Sequence, residues 1–184
     1  MDLTPAAREV LFRIFPEGIV AIDLETTGLS PLLDQIIELA AVKITPHGQE
    51  LFHHLLNPDI SIATHSTAFH GITDAMVANA PRIHQVLPQL LKYIGALPVV
   101  AHNAKYDLGF IAFAAFKQQL RLKDSLVYDS CTFARANVHG PDNYKLSTLA
   151  QFMGVELKEH HRAVDDSWAC LKIFARTLLA PFKP

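Results

Sequence analysis

The run Ile19-Val20-Ala21-Ile22-Asp23-Leu24-Glu25-Thr26-Thr27-Gly28 constrains this chain more than any other stretch. Four apolar residues lead directly into two carboxylates, then two hydroxyls and a glycine. An apolar lead-in bounded by turn residues is the pattern of a buried strand. In a strand, residues i and i+2 point the same way, so Asp23 and Glu25 project from one face. Two like charges held that close repel unless a cation, a proton or a basic partner neutralises them. The stretch alone also admits a plainer reading, in which both acids open a polar turn and cap the next segment. Carboxylates in matching settings further along the chain decide between the two.

The chain has 184 residues, which fits one domain with a substantial core. Hydrophobic residues make up 50% and charged residues 18%, a globular balance that argues against disorder. A net charge of −2 lacks the basic footprint of a protein that wraps a long duplex. Any nucleic-acid contact is therefore expected to be local, small in phosphate count and helped by bound cations. Cys131 and Cys170 offer neither a disulfide framework nor a paired metal spacing, which points to a reducing compartment. No charged-then-apolar leader opens the chain and no apolar run is long enough to span a bilayer. A cytoplasmic location and no membrane partner are expected.

Residues 4–15 start with Thr4 as a candidate N-cap and Pro5 in the first turn, and keep helical apolar spacing until Pro16 and Gly18. Residues 1–18 are read as an N-terminal helical extension, able to dock on the core or on another chain, and 19–184 as a single domain. Residues 35–44 and 51–56 are extended runs joined by a hairpin at Pro46-His47-Gly48. His53 and His54 are adjacent, so they face opposite sides and cannot jointly grip one metal; both are read as surface or edge residues. Residues 63–71 are read as a polar loop, with a helix starting at 72 behind Thr73 as cap. Residues 81–95 keep helical spacing through Ile83, Val86, Leu87, Leu90, Leu91 and Ile94, with Pro88 as a candidate bend. Residues 98–103 are a short buried strand, 104–120 a helix, 126–129 a last strand, and 130–137, 146–152 and 163–179 helices. Strands that come first and helices that later carry the crossovers make an α/β domain.

A second chemical stretch, His102-Asn103-Ala104-Lys105-Tyr106-Asp107, stands at the carboxyl end of the Val99-Val100 strand. Ligand sites in open α/β sheets gather at such ends. Asp107 is also accounted for as a first-turn helix acid, stabilised by the helix dipole by about 0.3–1 kcal/mol. The third stretch is His160-His161-Arg162-Ala163-Val164-Asp165-Asp166. If His161 and Asp166 were both helical they would stand about 140° apart, since each residue turns about 100°. They converge only if His161 lies in the preceding loop and swings over the helix start. That geometry suits a mobile base beside a metal-held carboxylate. A His-Arg loop ahead of two acids at a helix N-terminus is the plainer account.

Together the three stretches resemble the DEDD superfamily of 3′-to-5′ exonucleases, in the DnaQ-like subgroup that uses histidine. Asp23 and Glu25 match the family's Asp-x-Glu strand, and Asp107 its later aspartate after a His-Asn-Ala strand end. His161 with Asp166 matches its histidine with an aspartate five residues on. Smaller likenesses sit at Thr26-Thr27-Gly28, Ile36-Ile37-Glu38 and Phe69-His70-Gly71-Ile72-Thr73, and the match keeps its order from about residue 19 to 179. His160 with Asp165 has the same spacing, but His161-Arg162-Ala163 with Asp166 and Ala169 fits the family's form, leaving His160 and Asp165 as solvent-facing neighbours.

The resemblance implies a ribonuclease H-like fold, a central five-stranded mixed sheet flanked by helices, with the three amino-terminal strands antiparallel. It implies two divalent cations, Mg2+ or Mn2+, with Asp23 bridging them, Glu25 and Asp166 completing one and Asp107 the other. Carboxylates and phosphate oxygens are hard ligands that suit such ions better than zinc. His161 is implied as the general base, its ordinary pKa near 6.5 fitting work near neutral pH. The implied products are nucleoside 5′-monophosphates released from a 3′ end. Substrate contacts are implied for Thr26 and Thr27 at the terminal sugar and for Phe69, His70 and Tyr106 beside the last bases, with Leu24 and Asn103 completing the set. Stacking worth about 1–3 kcal/mol per base would explain tolerance of sequence; core packing is the other account of Phe69 and Tyr106.

The expected partner is nucleic acid with a free 3′ end, with single-stranded DNA favoured. An RNA-trimming exoribonuclease and a non-catalytic nucleic-acid or polymerase-partner module are the alternatives. A DNA polymerase or another replication or repair protein is a candidate partner. No long tail for one is read after Pro181-Phe182-Lys183-Pro184, and Gln119-Leu120-Arg121-Leu122 is read as structural.

Overall fold

In the computed structural model, which describes residues 2–157 and 161–179, five strands form one mixed sheet in the order β3-β2-β1-β4-β5. β1 (Ile19–Thr26), β2 (Ile36–Thr45) and β3 (Gly48–Leu55) run antiparallel, and β2 turns tightly into β3 at the Thr45–Gly48 pair. β4 (Val99–Ala101) and β5 (Val127–Asp129) add in parallel on the other side of β1. The helices are α1 (Pro5–Ile14), α2 (Thr64–His70), α3 (Asp74–Val77), α4 (Ile83–Ile94), α5 (Ala104–Lys117), α6 (Ser130–Asn137), α7 (Leu146–Phe152) and α8 (Ala163–Leu179). This is the ribonuclease H-like α/β arrangement that the motifs imply.

β1 is central, and side chains on both of its faces are buried, which is why its first four residues are all apolar. Alternation sorts them between two helical layers. Ile19 and Ala21 join Val42 and Ile44 in a cluster with residues of α1, α6, α7 and α8. Val20, Ile22 and Leu24 pack with residues of α4 and α5 on the opposite face. Asp23 and Glu25 share the parity of Ile19 and Ala21, so they emerge on the α8 side of the sheet.

α1 takes the first of its two options and docks on the core of its own chain. Ala7, Leu11 and the following Phe15 are buried in the α8 layer, and the Phe15 ring lies 6.1 Å from that of Phe174. Thr4 caps the helix as its position suggests, its hydroxyl accepting the Ala7 N–H.

One segment differs from the sequence reading. Residues 64–70, expected as loop, form α2, closed by Gly71 in the left-handed region at φ 74°; the helix expected from 72 onward is only the four residues of α3. α2 has no apolar period to betray it. It is held instead by tertiary contact: Ser66 Oγ donates to the Thr27 carbonyl at 2.8 Å, and Ser66 and His70 are its buried residues. Thr73 makes no side-chain cap; the Asp74 carboxylate takes the Ser61 hydroxyl and the Ile62 N–H instead. Among the described residues, no helix is long and apolar enough to cross a membrane.

Candidate active site

The carboxyl ends of β1 and β4, the first turn of α5, the α2 segment and the start of α8 enclose a cleft of about 550 Å3. Asp23, Leu24, Glu25, Thr26, Phe69, His70, Asn103, Tyr106, Asp107, His161 and Asp166 all line it. Asp23 and Asp166, the first and last of these, stand 143 positions apart in sequence, so only the tertiary fold brings them together. His160, assigned to solvent beside Asp165, lies outside the described residues.

Asp107 reaches the site because β4 is short. β4 ends at Ala101, leaving the Leu24 N–H of β1 without a strand partner on that side, and the Asp107 carboxylate accepts it at 3.1 Å. The turn into α5 puts Asn103 in the left-handed region (φ 64°, ψ 52°), which asparagine tolerates better than most residues. Asp129, at the end of β5, stabilises that turn. Its carboxylate accepts the N–H groups of Asn103 and Ala104 at 3.3 and 3.1 Å, and those of Cys131 and Thr132 at the start of α6.

His161 lies in the turn before α8, as convergence with Asp166 requires. Its backbone is left-handed (φ 63°) and its N–H donates to Asp166 Oδ2 at 3.1 Å. Donor atoms of Glu25, His161 and Asp166 fall within 4.8 Å of one another, a spacing able to hold a metal ion. The His161 ring stacks on Phe69, centroid to centroid 3.6 Å. Phe69 is 61% exposed, so core packing does not account for it. Tyr106 does pack, its ring 5.2 Å from Phe110, while its hydroxyl donates to the Gly28 carbonyl at 3.0 Å and meets Thr26 Oγ1.

Thr27 is placed differently from the other candidates. It is buried and absent from the cleft lining; its hydroxyl donates to Asp34 and accepts the Gln35 N–H, bracing the loop after β1. At Gly28 a Cβ would lie 2.5 Å from the Asp34 carboxylate, so a larger residue there would displace Asp34 from its bonds to Thr27 and Ser30. The buried His70 accepts the Ile72 N–H on Nδ1, which assigns the proton of its neutral ring to Nε2. Nε2 has no hydrogen-bond partner among the described residues.

The electrostatics of the cleft follow from crowding. Burial, then the nearby Asp107, Asp166, Glu25 and Glu38 carboxylates, push Asp23 well above the usual range. Burial and the Asp166, Glu38 and Asp107 charges raise Glu25 to about 8. Asp107 also rises to about 8, chiefly through burial, against the pull of its backbone hydrogen bonds. Carboxylates that resist ionisation because they are buried against one another are a fitting donor set for hard divalent cations, which supply the missing positive charge.

Residues missed by sequence reasoning support this cluster. Glu38, fully buried and the cross-strand partner of Glu25, accepts from His53 Nε2 (2.8 Å), from Arg162 Nε and Nη2 (3.3 and 3.1 Å) and from the Ala163 N–H (3.1 Å). His53 stands on the edge strand, as read from the sequence, and also donates a hydrogen bond to the buried Glu38. Burial pushes Glu38 up, but the bonds from His53, Arg162 and Ala163 prevail and hold it near 2. In the sequence Glu38 appeared only within the Ile36-Ile37-Glu38 likeness, with no role attached, as a glutamate in the largely apolar run of β2. His102, which lines the cleft, joins Ser130 Oγ (2.8 Å) and the Tyr144 carbonyl (2.9 Å).

Comparison with known proteins agrees with this geometry. The pattern of the Exonuclease family (RNase_T) matches residues 20–174. DNA polymerase III PolC-type of Caldanaerobacter subterraneus subsp. tengcongensis is 42% identical over 160 residues, which cover 86% of this chain and 11% of the polymerase. The Bacillus subtilis PolC-type polymerase is 35% identical over 183 residues, 96% of this chain and 12% of the polymerase. The chain therefore spans about a tenth of the length of these relatives. Among solved structures, exonuclease X in complex with 5′-overhanging duplex DNA is 27% identical, with a TM-score of 0.72 over 90% of this chain and 94% of that one. The nuclease domain of 3′hExo bound to rAMP shares the fold at 20% identity (TM-score 0.76, covering 90% and 93%). With the family pattern spanning most of its length and the acidic cleft in place, this chain belongs to the Exonuclease family, RNase_T.

Proposed function

We propose that the cleft removes nucleoside 5′-monophosphates one at a time from a 3′ end, with single-stranded DNA as the favoured substrate and Mg2+ or Mn2+ as cofactor. The observation that carries this reading is the group of Asp23, Glu25, Asp107 and Asp166 carboxylates, crowded around one cleft with His161 at its rim. These four residues would hold two divalent cations. When bound, such cations stabilise charge on the phosphate and on the attacking and departing oxygens.

The chain's own groups do the rest. His161, stacked on Phe69 and tethered through its N–H to Asp166, takes the proton from the attacking water at a ring nitrogen. The exposed face of Phe69 offers a stacking surface for a terminal base. Leu24, Thr26, His70, Asn103 and Tyr106 line the same cleft and serve as its substrate contacts; Thr27 contributes through the loop it braces.

DNA is favoured over RNA because the similar full-length proteins are DNA polymerases and exonuclease X was solved with duplex DNA. The same relatives support action beside a DNA polymerase as the setting. The test is digestion of 3′-labelled single-stranded DNA, duplex DNA and RNA, each with Mg2+ or Mn2+ and with EDTA. EDTA-sensitive release of mononucleotides, fastest from single-stranded DNA, is expected. Faster release from RNA would make the enzyme an RNA trimmer; binding without release would make it a non-catalytic module.

A further inference from the structure

Glu38 lies one strand away from the cleft yet does not line it. As the cross-strand partner of Glu25, it would add another charge to an already crowded group if left bare. Its two oxygens instead serve four N–H donors. One comes from β3, through His53; three come from Arg162 and Ala163, the two residues that follow His161. The turn they form is held at both ends: Glu38 grips Arg162 and Ala163, and Asp166 accepts the His161 N–H. Between these anchors His161 keeps a left-handed backbone, a sparsely populated conformation that persists only where surroundings over-determine it.

We propose that Glu38, locked by His53, is a positioning residue that keeps the His161–Ala163 turn, and with it the imidazole and the Asp166 carboxylate, in register with Glu25. The proposal rests on the exonuclease reading of the cleft and adds the layer behind it. A buried ion pair is a weak source of stability, because desolvation offsets most of its attraction, but it specifies one geometry when every donor is matched. Partners that orient metal-site ligands commonly matter about 10–100-fold for metal affinity or activity.

The test compares wild type with Glu38→Gln, Arg162→Ala, Arg162→Lys, His53→Ala and His53→Gln, measuring kcat, KM and melting temperature on a 3′-labelled single-stranded oligonucleotide with saturating Mn2+. Glu38→Gln and Arg162→Ala are expected to lower kcat about 10–100-fold, with little change in KM, since substrate contacts lie elsewhere. Arg162→Lys restores only part, because an ammonium cannot reproduce the two-pronged contact. His53→Ala costs less, and His53→Gln, which keeps an N–H donor at similar reach, recovers it. Wild-type kcat in Glu38→Gln, or losses that merely follow the folded fraction, would overturn the proposal. The ring-nitrogen NMR signals of His161 give a readout independent of turnover: they are expected to shift and broaden in Glu38→Gln and His53→Ala. Unchanged signals refute the positioning role, whereas an inactive wild type with shifted signals refutes only the exonuclease reading.

Discussion

Asp107 accepts the Leu24 N–H and Asp166 accepts the His161 N–H, so two of the four carboxylates are oriented by backbone groups. Replacing a proposed ligand by its neutral isostere should therefore spare the fold while removing the proposed cation site. Asp23→Asn and Asp166→Asn are expected to reduce hydrolysis below detection, and to raise the melting temperature of metal-free protein at pH 8 by relieving repulsion. Thermal melts in EDTA beside an activity assay check both; retained activity in either variant refutes the ligand assignment. His161→Ala would remove the proposed general base and should cost about 10²–10⁴-fold in kcat. At this scale, spacing alone demanded that His161 leave the helix to meet Asp166, and the structure has it there. The part of Glu38 was not legible: a buried acid in a strand is unexplained until Arg162 and Ala163 are seen above it.

Elements that carry their own local signal were readable, and those that depend on neighbours were not. α4 and α8 announce themselves by apolar period, whereas the Asp129 N-cap of α6 is seen only in the structure. α2 has seven residues with no such period, and a helix that short persists only through tertiary contact. α1 shows the converse, a recognisable helix whose docking partner the sequence left open. Its fully buried Leu11 makes a direct probe. Leu11→Ala should destabilise the domain by about 2–5 kcal/mol, measured by denaturant unfolding; a near-neutral result would mean that α1 is detachable. Asp129→Ala strips the N-cap of α6 and the acceptor for the α5 turn. A loss of about 0.5–2 kcal/mol is expected from the cap alone, together with reduced kcat as Asp107 loses its fixed approach.

Over the whole molecule, the crowded acids couple stability to pH and metal. Glu25 and Asp107 are raised in the folded protein to about 8, from ordinary values of 4.5 and 3.8. The folded state thus holds protons that the unfolded state releases, so their contribution is complete below about pH 4 and is lost as pH rises through 8. Glu38, held near 2, acts in the opposite sense: its contribution is present above pH 4.5 and lost as pH falls toward 2. Metal-free protein should consequently melt at a lower temperature at pH 8 than at pH 5. Mn2+ should raise the melting temperature more at pH 8, where protons no longer compete for the ligands. A melting temperature in EDTA that climbs between pH 5 and 8, or a metal shift independent of pH, would contradict this. Hydrolysis should also fall below about pH 6.5, as a histidine base takes up a proton.

By itself the sequence determined the α/β class and the burial of β1, and it singled out Asp23, Glu25, Asp107, His161 and Asp166, which line one cleft, because alternation, helical period and residue spacing are local properties. Only the tertiary structure decided what stands beside what. It set α1 against α8, turned Thr27 toward Asp34, and made His53, Glu38 and Arg162 one buried network. Those pairings join residues as far apart in sequence as Glu38 and Arg162, and no local pattern records a contact that only the packing of separate elements creates.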